Sequence, residues 1–308
     1  MKKPSTLARL SDVAQGTGLP LLGRFFDGAR KRAEELSIKL RGADFDERVA
    51  WLKRRYEAWG GDPFGLDPEV ARSVVTVLAF FHRLYFRTET FGLENLPEKR
   101  AILVANHSGQ LPIDAAILGS SLFLDSKPPR VARAMIDKWA VTLPFVSTYF
   151  NKVGQVVGLP ENARRLLDME ELLLVFPEGV KGIAKPFSQR YQLQDFGLGF
   201  MRLAIEMRAP IVPIAVVGAE EQYLNFGNLE WAAKLLGTPV FPVVPQVLVP
   251  GGQLPLPMKY RIYFGEPLTF YGDPNDDDMV IADKVWLVKQ TIQDMLNRAL
   301  VERKSLFF

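Results

Sequence analysis

Three short, uncharged apolar runs most constrain how this chain can fold: Ala101–Val104 (AILV), Leu172–Phe176 (LLLVF) and Ile211–Val217 (IVPIAVV). Runs of four to seven apolar residues bounded by turn formers are the pattern of strands covered on both faces. Further strands are expected at Arg130–Met135, Gln155–Val157 and Tyr260–Phe264, with helices over 114–122, 138–150, 160–169 and 195–208. Alternating strands and helices of this kind make an α/β sandwich, a sheet flanked by helices. The first two runs end in the two most informative strings of the chain, NHSGQLPID with His107 and Asp114, and FPEGVKG with Glu178, Gly179 and Lys181. Ligand-binding loops of α/β sheets sit at the carboxyl ends of strands, so both strings are expected to face one crevice.

The chain has two histidines, His82 and His107, and no cysteine. Zinc sites draw on several Cys and His ligands, so a metal centre is a poor match and none is expected. Proton chemistry remains for His107, because imidazole titrates near neutral pH and a nearby carboxylate can orient it. Asp114 is the orienting candidate. Ser108 stands beside His107 without the G-x-S-x-G elbow of a serine hydrolase, and His82, in FFHRLYF, reads as a residue of an amphipathic helix. Glu178 carries two compatible readings. It can shape or serve the pocket, or tie down the Pro-Gly turn by accepting backbone N–H groups.

An NH followed closely by an Asp, FPEG about seventy residues later, and then a VP-containing strand at Ile211–Ile214 resemble the glycerolipid acyltransferase family, which includes the lysophosphatidic acid acyltransferases. The resemblance implies a mixed sheet flanked by helices and an O-acyltransferase like those acting on 1-acylglycerol-3-phosphate in phospholipid biosynthesis. It implies His107 as general base, Asp114 as its partner, and Glu178 with Gly179 on the acceptor side. The donor it implies is acyl-CoA or acyl carrier protein, a co-substrate, with no cofactor. The acceptor it implies is a lysophospholipid or related glycerolipid at a membrane surface, attacked without an acyl-enzyme. Backbone amides near Gly109 or Gly179, aided by Lys181, are the expected oxyanion donors.

Three departures from the family pattern stand out, the first bearing on the pairing of Asp114 with His107 and the other two on the acceptor. Six residues (SGQLPI) separate His107 from Asp114 where the family has four. The family's phosphate-binding arginine is replaced by the string Gly154–Gly158, and the residues after FPEG are Val180, Lys181 and Gly182 in place of Thr, Arg and Ser. Lys cannot copy the bidentate guanidinium fork, so a neutral mono- or diacylglycerol acceptor is the alternative. The stretch from Leu159 to Phe200 also looks like the diacylglycerol-acyltransferase-like branch. Lys181, Lys185 and Arg190 remain as ligands for a phosphate or for the nucleotide end of coenzyme A. A non-catalytic lipid-binding module and a thioesterase are the competing classes.

The 308 residues carry a net charge of +3, but residues 1–60 hold thirteen Lys or Arg against eight Asp or Glu. A basic, amphipathic helical extension is expected over 1–87, ahead of a catalytic domain over 88–308. Such an extension can lie on an anionic membrane. No run long enough to span a bilayer occurs, so a cytoplasmic protein peripheral to the inner face of a membrane is expected. Nucleic acid is not an expected partner, since the basic excess lacks a recognition motif. A helix over Pro68–Arg87 is apolar on nearly every side from Val74 to Phe81, which calls for cover by protein or lipid. Six prolines between Thr238 and Pro257 forbid a regular helix or central strand there. That apolar loop is expected to line an acyl-chain tunnel or dip into lipid. The final helix, about 279–303, places Val285, Val288, Ile292, Met295, Leu296, Ala299 and Leu300 on one stripe.

Overall fold

The computed structural model describes residues 20–108, 111–137 and 146–307, with the backbone alone for 20–26, 29–30 and 146–148. Contacts divide the chain into two compact units at Glu47/Arg48. The first contains a helix over Pro20–Arg41 and the start of another, Phe45–Glu57. The second holds the sheet, and residues 48–87 belong to it together with 88–307.

Seven strands form one sheet: β1 (Glu89–Phe91), β2 (Ala101–Ala105), β3 (Ala132–Ile136), β4 (Val156–Val157), β5 (Leu172–Val175), β6 (Ile211–Val217) and β7 (Arg261–Phe264). Their spatial order is β1-β7-β6-β2-β5-β3-β4. Every neighbouring pair is parallel except β6 with β7, which makes the sheet mixed, as the sequence suggests. β2 and β6 are buried at every position, the reason both read as unbroken apolar runs. Alternate side chains go to opposite faces. Ile102 and Val104 join Ile211, Ala215 and the final helix on one side, while Ala101, Leu103 and Ala105 meet Ile117, Leu118 and Leu122 on the other.

The flanking helices follow their local signals. Pro68–Phe80 starts on Asp67, whose carboxylate accepts the N–H groups of Glu69 and Val70, with Pro68 in the first turn. It continues as a π-helical segment, Phe81–Tyr85. There His82 is fully buried, with Nε2 3.0 Å from Asp125 Oδ2, on the inner side of the helical stretch. Val77, Phe80 and Leu84 of the same stretch stay exposed. The C-terminal helix, Asp278–Glu302, buries Val285, Val288, Ile292, Met295, Leu296 and Ala299. The expected helix over 138–150 is seen as Val146–Lys152, the residues before 146 lying outside the described ones. The one expected over 195–208 begins at Gly199 and ends at Met207.

Sheet register sets up the site. Because Val104 pairs with Val175, three further residues along each strand bring His107 level with Glu178. The two strings therefore leave the sheet side by side.

Candidate active site

Asn106, the first residue past β2, is buried, and its side-chain amide prolongs the ladder with β6. Its Oδ1 accepts the Val216 N–H at 2.8 Å and its Nδ2 donates to the Val216 carbonyl at 3.0 Å. His107 is thereby held at the carboxyl end of the central strand β2, its backbone N–H donating to Glu178 Oε1 at 3.0 Å. The ring stacks on Phe176, with centroids 4.3 Å apart.

His107 Nδ1 lies 2.7 Å from Asp114 Oδ2. Asp114 belongs to the first turn of the helix Ile113–Leu124 and is fully buried. The same oxygen accepts the Ser108 N–H at 2.9 Å, and Oδ1 accepts the Ala115 N–H at 2.8 Å. With the Nδ1 proton donated to this carboxylate, Nε2 keeps a lone pair, the tautomer a general base requires. The six-residue spacing thus still brings acid and imidazole together. Gly109, offered above as an oxyanion donor, lies outside the described residues.

The second string forms a tight corner. Gly179 has φ +54° and ψ −138°, a conformation for which only glycine is suited. Its N–H donates to the Phe176 carbonyl at 2.9 Å. That amide is spent inside the turn, so an oxyanion donor at this corner would be one of the amides next to Gly179. A short helix, Val180–Ala184, follows. Within it Gly182 fits against the site with no room to spare: a Cβ there would stand 2.9 Å from Glu178 Cβ and 3.1 Å from His107 Cβ.

The expected substrate cations divide. Lys185 is buried, 3.1 Å from Glu178 Oε2 and 3.1 Å from Glu220 Oε2. Its third donor faces the Gln192 carbonyl at 3.4 Å. An ammonium has three donors, so none remains for a phosphate, and the expectation that Lys185 binds one is corrected. Lys181 is 68% exposed and lies 3.6 Å from Asp195. Arg190 is 42% exposed, over the Phe187 ring and 3.9 Å from Glu221. Glu178, 4% exposed, accepts the N–H groups of His107 and Gln194. It ties down the corner and the His107 loop alike.

Four residues of the site were not singled out from the sequence. Asn106 and Phe176 stood in the motif strings and could have been found from their places next to His107 and Pro177. Gly182 was noted only as a departure. Glu220, on a 3-10 turn after β6, carries no motif signal. Burial pushes its carboxyl above the usual range, Glu178 adds to this, and Lys185 with the Tyr191 N–H pull it back. Ser108, Gly182, Lys185, Arg190, Glu220 and Asn225 are among the residues that line a small crevice one residue past His107.

Residues 87–217, which contain both strings, match the family model described as Acyltransferase. An uncharacterized protein of Mycobacterium tuberculosis is 35% identical over 320 aligned positions, covering 99% of this chain and 89% of that protein. The chicken (Gallus gallus) protein named DGAT1/2-independent enzyme synthesizing storage lipids is 28% identical over 230 positions, 72% of this chain and 65% of that one. The crystal structure of the 1-acyl-sn-glycerophosphate acyltransferase PlsC from Thermotoga maritima is similar with a TM-score of 0.47 at 16% identity, covering 90% of this chain and 99% of that chain. On the family model residues 87–217 belong to the acyltransferase family, and over nearly its whole length the chain belongs with the uncharacterized mycobacterial protein.

Proposed function

We propose that this protein moves a fatty acyl group from a thioester, acyl-CoA or acyl carrier protein, to the hydroxyl of a glycerolipid. The observation that carries the reading is the 2.7 Å contact of His107 Nδ1 with buried Asp114 at the mouth of the sheet. Nε2 takes the acceptor's proton as the hydroxyl oxygen attacks the thioester carbonyl. The tetrahedral adduct then collapses, the C–S bond breaks, and the thiolate recovers the proton from the imidazolium. Aligning both substrates in one crevice supplies much of the acceleration.

The acceptor we favour is neutral, a mono- or diacylglycerol, over a phosphomonoester such as 1-acylglycerol-3-phosphate. Three cations were expected to grip phosphate. One is saturated by buried partners, and the other two are exposed and already beside acids. The name of the chicken relative, an enzyme synthesizing storage lipids, agrees with a neutral product.

Lipid access fits the surface next to the crevice. Residues 222–257 contain only two charged side chains, Glu230 and Lys234. Phe226, Trp231, Leu235, Leu248, Val249 and Leu254 of this stretch are exposed. Val244, in contrast, is buried. Asn225 anchors the stretch to the site by donating to the Lys185 carbonyl at 3.0 Å, and Phe187 N–H donates back to the Asn225 carbonyl at 2.7 Å. Exposed apolar surface with few charges suits a bilayer. Among the described residues no helix is long and apolar enough to cross one, so peripheral attachment is the form proposed, with the basic helix Pro20–Arg41 of the first unit as a further contact.

The test is one assay: purified protein, acyl-CoA, and vesicles carrying either a diacylglycerol or 1-acylglycerol-3-phosphate. The wild type should acylate the neutral lipid with higher kcat/KM, and His107→Ala should lose about 10²- to 10⁴-fold. Preference for the phosphomonoester would overturn the acceptor assignment. Undiminished turnover by His107→Ala would overturn the base, and stoichiometric lipid binding without turnover would make the chain a binding module. In the same vesicles Trp231→Asp/Leu248→Asp should float less than wild type, and equal flotation removes the surface assignment.

A further inference from the structure

The ionic cluster beneath His107 is unbalanced. Lys185 faces two carboxylates, Glu178 and Glu220, and the three side chains are 4%, 0% and 5% exposed. Each carboxylate reaches the loop that carries His107 with one oxygen and a neighbouring segment with the other. Glu178 accepts the His107 N–H through Oε1 and the Gln194 N–H through Oε2. Glu220 accepts the Asn106 Nδ2 at 3.2 Å and the Tyr191 N–H at 2.8 Å. Lys185 thus touches none of the groups proposed to react, yet both carboxylates that grip Asn106 and His107 pair with its ammonium, Glu178 through the oxygen not used on His107. Remove the ammonium and two like charges stay buried together, which forces one to take up a proton or move toward water. Either response loosens a hold on the His107 loop.

We propose that Lys185 and Glu220 are positioning residues for His107, acting through Glu178 and Asn106 to fix the imidazole at the strand end. The inference rests on His107 being the base. It replaces a substrate-binding role for Lys185 with one inside the protein, and the two roles differ in what kinetics they change. A substrate cation lowers KM; a positioning cation sustains kcat.

The experiment compares full-length wild type, Lys185→Met, Glu220→Gln, the double variant and His107→Ala, measuring kcat and acceptor KM together with thermal melts. Lys185→Met should lose about 10²-fold in kcat, the size of effect an ångström-scale misplacement produces, with KM changed less than about threefold. The double variant restores the cluster's single net negative charge. It should recover about tenfold of the loss while the ion pair itself stays absent. A raised KM with intact kcat in Lys185→Met overturns the proposal in favour of substrate binding. A double variant no better than Lys185→Met overturns it too, since a role in packing alone is not restored by removing a second group. If Lys185→Met does not fold, the double variant decides against wild type: kcat within about tenfold and unchanged KM support positioning, and a raised KM refutes it. His107→Ala separates the two readings. Full activity there sinks the base, whereas an inactive His107→Ala beside an unimpaired Lys185→Met sinks only the positioning.

Discussion

Two buried ionic clusters lie in the sheet-bearing unit, and they are built on different arithmetic. Arg133 and Asp62 are both fully buried and meet one to one, Nη1 to Oδ1 at 2.9 Å and Nη2 to Oδ2 at 3.1 Å. The guanidinium also donates to the Gly154 carbonyl at 2.8 Å and to the Tyr56 hydroxyl at 3.3 Å. This bidentate pair bolts the loop before the Pro68–Phe80 helix to β3 and to the turn leading into β4, with charge cancelled. Around Lys185 one cation serves two carboxylates, whose remaining contacts are groups of the Asn106–His107 loop and the Tyr191 and Gln194 N–H groups. In the first cluster the two charges cancel within the pair. The unbalanced one couples its charge state to the place where His107 sits, so the first should govern stability and the second turnover.

The largest effect is expected at the balanced pair. Asp62→Ala strands a buried guanidinium and should lower folding stability by about 3–5 kcal/mol, read by denaturant unfolding, while the folded fraction keeps its kcat. A variant with full stability and lost turnover would reverse the contrast drawn here. A smaller effect is expected where packing, not charge, meets the site. Gly182→Ala places a methyl group against Glu178 and His107. It should reduce kcat roughly tenfold to a hundredfold, with stability lowered by about 1–3 kcal/mol for overpacking. Wild-type kinetics in Gly182→Ala would mean that the corner yields easily and that His107 is held less tightly than its contacts imply.

Much of this architecture was readable in advance, for a physical reason. Strands buried on both faces must be apolar throughout, so β2, β5 and β6 announced themselves, and the limits of Ile211–Val217 agree with the structure. β1 did not. Its three residues, Glu89–Phe91, are ordered by pairing with β7, to which Arg261 adds a bond to Glu89, and these are partners about 170 positions away. The helix Val180–Ala184 was hidden by the glycines at 179 and 182, whose value lies in turning and in close approach. His107 and Asp114 were legible because they sit seven residues apart on a strand–loop–helix pattern. The fate of Lys185 was not, since nothing near it in sequence tells of Glu220, 35 positions later on another turn. Burial of a charge depends on partners that only the folded sheet brings together.

We propose above all that Asp114 holds the imidazole in the tautomer that leaves Nε2 free to take a proton. Asp114→Asn keeps the shape and removes the charge, so kcat should fall about 10²- to 10⁴-fold with an unchanged melting temperature. An Asp114→Asn enzyme that acylates its acceptor at the wild-type rate would contradict that claim outright.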